Sequence, residues 1–319
     1  YRMSRFSFGM PFGWFVVAWS AELPPGAVAK RNFFDRELVL FRGETGEAHV
    51  LGAYCPHLGA HLGVGGKVEG DSLRCPFHGW RFSGQGDCLE IPYAKRIPPN
   101  AKADALPSAE SGGVIWAWHH PDGAAPSFDP PEIAEFGAEG WTADWTKYEW
   151  TVATHPQEVT ENSVDWPHFH EVHLMAPPPE RKVEFKGHEI LWEAATKKNV
   201  TTLDGAEDEI RVIGRNPGLG CSYVRYTGMG ESVIVMGMTP IDSESIRMFF
   251  GVIGNKAGRT DYEMAAFHQS YADDMAVAVQ QDFPIWENKI YRAQPKLCDG
   301  DGPVGDFRRW ATQFYVTAE

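Results

Sequence analysis

Two short stretches hold residues that could do chemistry: "CPHLGAHLGVGG" at 55–66, with Cys55 and His57, and "CPFHGWRF" at 75–82, with Cys75 and His78. Their spacing is C-x-H, then 17 residues, then C-x-x-H. A thiolate and an imidazole this close can grip one metal centre from a tight loop. Two centres fit the donor set. One is a structural zinc ion held by two cysteines and two histidines. The other is a [2Fe–2S] cluster with both cysteines on one iron and both histidines on the other. Common zinc fingers place the cysteines together and the histidines together, whereas each loop here supplies one of each. That alternation suits a two-iron rhombus between two similar loops. Pro56 and Pro76 stiffen the loops, and the glycines around them let main-chain N–H groups approach inorganic sulfur.

A second group of donors lies in "TENSVDWPHFHEVHLMAPPP", 160–179, which packs Glu161, Asn162, Asp165, His168, His170, Glu171 and His173 into thirteen positions. Asp165 and His168 are three apart and share a face if the segment is helical. His168 and His173 are five apart, which on a regular helix points them about 140° from each other. Pro167 removes a helical hydrogen bond, so a kink or break is expected near the histidines, and that irregularity could bring both imidazoles to one metal. His170 is expected to pack or face solvent. A third ligand is suggested by 260–283, which reads as a long amphipathic helix. Met264, Tyr271, Met275 and Ala278 form an apolar stripe, and Asp282 falls on it. Asp273 and Asp274 lie off the stripe and read as solvated. A carboxylate on a buried stripe needs a partner, and a metal is one. Pro284 ends the helix, which frees Asp282 to face a cleft; Glu287 is the alternative carboxylate.

The elements that must position these residues are mostly strands. "WFVVAWSAEL", "ELVLFRG", "AHVLGAY", "LRCPFHGWRF" and "GVIWAWHH" are short runs rich in Val, Ile and aromatics, broken by Gly and Pro. They predict a compact β-domain over about 14–120, followed by a linker in "HPDGAAPSFDPPE", 120–132. Further β-like runs, "KVEFKGHEILWEAA", "CSYVRYTG", "ESVIVMGMTPI" and "SIRMFFGVIG", precede the long helix. The fold class is α+β. An antiparallel sheet closed against that helix would wall an apolar cavity holding Met229, Val235, Met236, Met238 and Phe250, most of which also read as core side chains.

The chain has 319 residues, 43% of them hydrophobic and 23% charged, as expected of a packed globular protein of about two domains. A net charge of −14 argues against nucleic acid as the main partner. Five cysteines without a disulfide rhythm fit a reducing compartment, with Cys88, Cys221 and Cys298 as packing residues. No apolar run approaches a membrane span and nothing reads as a signal peptide, so the cytoplasm is the expected location. The sequence begins at Tyr1 rather than Met, which leaves native upstream residues open. No complete G-x-G-x-x-G follows a predicted strand and no flavin motif is present, so reducing power must come from another protein. Lys67 and Arg81, near the cluster loops, are candidate contacts for an acidic donor.

At this point two resemblances are plain. "CPHLGAHL" and "CPFHGWRF" resemble the cluster-binding loops of Rieske proteins. Glu161, Asn162, Asp165, His168 and His173 match the E-N-x-x-D-x-x-H-x-x-x-x-H signature of Rieske non-haem iron oxygenases. The resemblance implies an N-terminal Rieske domain at 1–125 and a helix-grip catalytic domain at 126–319. It implies one [2Fe–2S] cluster on Cys55, His57, Cys75 and His78, and one mononuclear Fe(II) on His168, His173 and Asp282, the last found shortly before an "IW" pair. Two histidines and one carboxylate leave positions open for O₂ and substrate. It gives Asp165 the role of bridging His78 of one subunit to His168 of the next, hence a C₃ trimer, and a lesser catalytic part to Asn162. The C-terminal stretch "PKLCDGDGPVGDFRRWATQFYV" is similar to that of 3-ketosteroid 9α-hydroxylase oxygenase components, a group that includes sterol 7-desaturases. The implied function is hydroxylation of a hydrophobic substrate, a steroid first, with electrons from NAD(P)H through a ferredoxin or flavin reductase. Desaturation, demethylation and aromatic-ring hydroxylation are the alternatives. A rival of another class is a Rieske electron carrier, or a zinc-stabilised binding module, without the mononuclear iron.

Overall fold

The computed structural model describes residues 4–174, 180–201, 207–228 and 230–316; Met229 lies outside them. Two compact units emerge. One is Trp14–Glu132, and the other joins Ile133 onward to the N-terminal residues up to Gly13. Placing the N-terminal segment with the cluster domain therefore does not match the contacts. Arg5 explains why. Its guanidinium donates to the carbonyls of Glu287 and Ala153, both at 2.6 Å, and its own carbonyl accepts from Tyr291 N–H.

The first unit is all β, in three antiparallel sheets of three, four and four strands. The last of these, Lys67–Glu69, Ser72–Arg74, Arg81–Ser83 and Cys88–Glu90, carries the second cysteine loop as the turn between its two central strands. The first loop follows Ala48–Gly52 and is closed by a bridge between Tyr54 and His61. Beneath both loops lies one core of Val39, Phe41, Leu51, Leu62, Leu73 and Phe82, into which Cys55 and Cys75 are packed. Fully burying side chains of this size is worth about 1.5–3 kcal/mol each, which makes a firm floor for two short loops.

The second unit is built on a seven-stranded antiparallel sheet. Its order is Thr146–Val152, Ile246–Gly254, Ser232–Pro240, Cys221–Thr227, Glu207–Pro217, Glu189–Thr201, Glu180–Lys186. The helices are α1 (Pro156–Glu161), α2 (His168–Glu171), α3 (Asp261–Gln280), α4 (Phe283–Trp286) and α5 (Val304–Ala311). α3 starts with a reciprocal cap between Thr260 and Glu263 and stops three residues short of the expected 283. Pro284, in the first turn of α4, starts a new helix instead. The most buried positions of α3 along this sheet are Ala272 and Ala276, whose small side chains let the helix lie close, with Tyr271 and Met275 beside them. Met236 pairs with Phe250, and Met238 with Met248, so both pairs share the face that packs on α3 and α4. Val235 points to the opposite face, because strand side chains alternate. It is core and not cavity wall. Cys221 is buried as expected, but Cys298 is exposed.

Candidate metal centres

The two cysteine loops are built alike. Cys55 N–H donates to Ala60 O and Cys55 O accepts from Gly59 N–H; Cys75 N–H donates to Trp80 O and Cys75 O accepts from Gly79 N–H. Gly59 and Gly79 occupy equivalent places with φ of 73° and 72°, a region that favours glycine. The loops differ in where the histidine falls, two residues after the first cysteine and three after the second.

The structure pairs the donors across the two loops, histidine with histidine and cysteine with cysteine. The His57 and His78 rings are 4.8 Å apart, and His57 stacks on Trp80 at 4.6 Å with 9° between planes. Trp80 Nε1–H donates to the Tyr93 hydroxyl at 2.9 Å. Burial, and then the adjacent Cys75 thiol, push the Cys55 thiol up to about 11, against the pull of His57 and Leu58 N–H groups aimed at its sulfur. His57 Nδ1 is buried without a partner. Two sequestered thiols, converging N–H groups and an orphaned imidazole nitrogen fit a metal cluster, which would hold the sulfurs as thiolates.

In the second unit, α1 ends at Glu161, a turn carries Asn162 through Pro167, and α2 is only one turn long. The expected break is therefore complete, not a kink. His173 lies past α2, beside Leu174 at φ 55°, where leucine is uncommon. His168, His173 and Asp282 each offer a ligand atom, and these atoms lie within 4.8 Å of one another. His173 Nε2 is 3.5 Å from Asp282 Oδ2, and both side chains are nearly buried. Burial holds the His168 imidazole below its ordinary pKa, whereas the bond to Asp282 raises that of His173. Each histidine is tied through its other nitrogen. His168 Nδ1–H donates to the Asp165 carbonyl, and His173 Nδ1–H donates to Gln281 Oε1 at 2.9 Å. Both therefore turn Nε2 to the centre. Such a set, two imidazoles and one buried carboxylate, suits a divalent first-row ion, which would hold both histidines neutral.

Asp165 is half-buried, and burial raises its carboxyl pKa. Its carboxylate also meets the main-chain N–H of His168. Asn162 closes α1, and among the described residues no side-chain hydrogen bond ties it to the three ligands. Glu287 is exposed and accepts from Ala153 N–H at 3.4 Å, so it is not a ligand here. His170 is exposed and donates to Glu171. Asp273 is exposed and accepts from the Tyr148 hydroxyl. Arg81 pairs with Glu90 at 3.2 Å, which makes it a poor docking contact, whereas Lys67 is exposed.

Comparison with known proteins decides the family. Residues 13–105 match the Rieske [2Fe-2S] domain, and residues 117–315 match the 3-ketosteroid 9alpha-hydroxylase C-terminal domain. The chain belongs to the 3-ketosteroid 9α-hydroxylase family. It is an oxidoreductase of the Rieske monooxygenase type. Among its relatives, a 3-ketosteroid-9-alpha-monooxygenase oxygenase component from Rhodococcus rhodochrous is 34% identical, over 96% of this chain and 80% of that one. A cholesterol 7-desaturase from Xenopus laevis is 31% identical, over 96% of this chain and 72% of that one. Among solved structures, dicamba monooxygenase bound to dicamba has the same fold, with a TM-score of 0.74 at 22% identity over 95% of this chain and 96% of that one.

Several working parts of this family member escaped sequence reasoning. A main-chain carbonyl and an amide side chain, the partners of the ligand histidines, have no signature spacing. Around the cluster loops, Leu58, Val64, Phe77 and Tyr93 form an exposed apolar rim, where charges had been expected to matter. The signal in the sequence is single large apolar residues set among glycine, proline and histidine. A cleft of about 930 Å³ between Glu47–His49 and Lys102–Glu110 holds none of the ligands.

Proposed function

We propose that this chain is the oxygenase component of a multi-component steroid monooxygenase, with Cys55, His57, Cys75 and His78 holding the cluster and His168, His173 and Asp282 holding the iron. The convergence of those last three ligand atoms carries the reading, because an electron carrier needs no second metal. When bound, the cluster supplies single electrons and the iron supplies O₂ activation. The chain's own residues do the rest. Asp282 contributes the negative charge, and the two imidazoles are held in the tautomer that presents Nε2. Met236, Met238 and Phe250 pack as apolar core under α3 and α4, the helices that flank Asp282. Asp165, whose carbonyl accepts from His168, is the path by which an electron from His78 of a second subunit would arrive, which calls for a head-to-tail ring of three. The exposed rim of Leu58, Val64, Phe77 and Tyr93 is the surface such a contact would cover. Electrons come from a ferredoxin or flavin reductase.

A turnover assay with a surrogate reductase and NADH, followed by mass analysis, tests the reading on 3-ketosteroids, intact sterols, bile-acid derivatives and small aromatic acids. Gain of one oxygen on a steroid is expected. Loss of two hydrogens would place the chain with its desaturase relatives, and two oxygens on an aromatic ring would reject the steroid assignment. H168A and D282A should each keep the cluster spectrum and lose turnover; unchanged turnover would remove the iron assignment.

A further inference from the structure

We infer that Gln281 is a positioning residue for the mononuclear metal, fixing the His173 ring so that Nε2 faces Asp282 and His168. The inference rests on the metal reading above. Gln281 Oε1 lies 2.9 Å from His173 Nδ1, while His173 Nε2 lies 3.5 Å from Asp282 Oδ2. An amide oxygen only accepts, so this contact places the ring proton on Nδ1 and the lone pair on Nε2. His173 needs such help, since it follows the end of α2 and no helix of its own holds it.

Gln281 can give it because its backbone is fixed. Its N–H donates to Val277 O and Ala278 O, both at 3.2 Å. One residue on, Asp282 N–H donates to Val279 O, and Asp282 O accepts from Ile285 and Trp286 N–H, both at 3.0 Å. The turn between α3 and α4 thus presents a ligand and, in the preceding position, the clamp on another ligand. His168 receives the same service from the Asp165 carbonyl. The Gln281 side chain is at the surface, so replacing it disturbs no core.

The test uses protein with its cluster intact and its mononuclear metal removed, titrated anaerobically with Fe(II) and, for its visible spectrum, with Co(II). Q281L is expected to weaken binding about 10- to 100-fold and to alter the Co(II) spectrum, with the cluster spectrum unchanged. Q281E, which accepts the same bond, should recover binding to within a few-fold. Parent-like binding by Q281L, or equal weakening in Q281L and Q281E, overturns the inference. H173A separates the two readings: if it binds metal as the parent does, the metal assignment itself falls. If H173A loses the metal and Q281L keeps it, the role of Gln281 alone falls.

Discussion

Asp165 holds the His168 ring by its carbonyl, and its carboxylate lies by the main-chain N–H of His168. A carboxylate has about four acceptor positions, so room remains for a second donor such as the imidazole of a neighbouring cluster. D165N keeps the carbonyl and the shape but gives up the charge. It should retain both metals while slowing electron transfer between them about 10- to 100-fold in single-turnover stopped-flow. An unaffected rate would end the bridging role. At this scale the sequence is most legible where identity is itself chemistry: cysteine, histidine and aspartate declare themselves as donors. What supports them does not, because any residue offers a carbonyl and Gln281 looks like any exposed glutamine. The Trp80 indole under His57 was visible only as one aromatic in "CPFHGWRF".

Among elements, α1 carries the least expected feature. Glu158 is fully buried, and Lys289 Nζ stands 2.7 Å from its Oε2 as an ion pair, out of hydrogen-bond alignment. Lys289 also approaches Glu161, which Arg308 of α5 holds through two hydrogen bonds. These pairs lock the segment before His168 to the segment after Asp282. K289M would leave a buried carboxylate uncompensated and should cost about 3–5 kcal/mol in urea unfolding. Adding E158Q should return most of that loss; an additive double variant would show that the pair is not coupled. Gly302 braces the same region, since a Cβ there would overlap the Val164 carbonyl, which explains one glycine of "DGDGP". The strands and the long helix were readable from periodicity, because burial on one or both faces imposes it. The face of Val235 was not, since a continuous apolar run hides its own alternation. The N-terminal segment was misplaced because its contacts are made by carbonyls far along the chain.

For the whole molecule, buried His155 and half-buried His119 both contribute to the response to acid. His155 accepts from Gln157 N–H on Nδ1 and donates to Gly9 O from Nε2, and burial lowers its pKa to about 3. His119 stacks on Phe34 at 4.3 Å, and burial lowers its pKa to about 4. Both are neutral when folded, whereas the unfolded chain takes up protons below about pH 6.5. Stability from each is therefore complete above that pH and drains away as pH falls toward 4 and 3. Between pH 6.5 and 5 each should lose about 2 kcal/mol, measurable as a falling urea midpoint. H119F should flatten the slope, and an unchanged slope would show that His119 does not titrate on unfolding. The size of the chain and the all-β character of its first unit are legible in composition and in short β-branched runs. The route of the chain between units is not, because nothing in the N-terminal residues themselves names acceptors so distant. That route has an effect on synthesis. Arg5 is synthesised well before its acceptor Glu287, which lies 282 positions later. The cluster-bearing unit is contiguous and can close while translation continues. Its companion must wait until Glu287 and Tyr291 are made, so a chain cut short before them would carry a finished cluster-bearing unit with an unfinished companion.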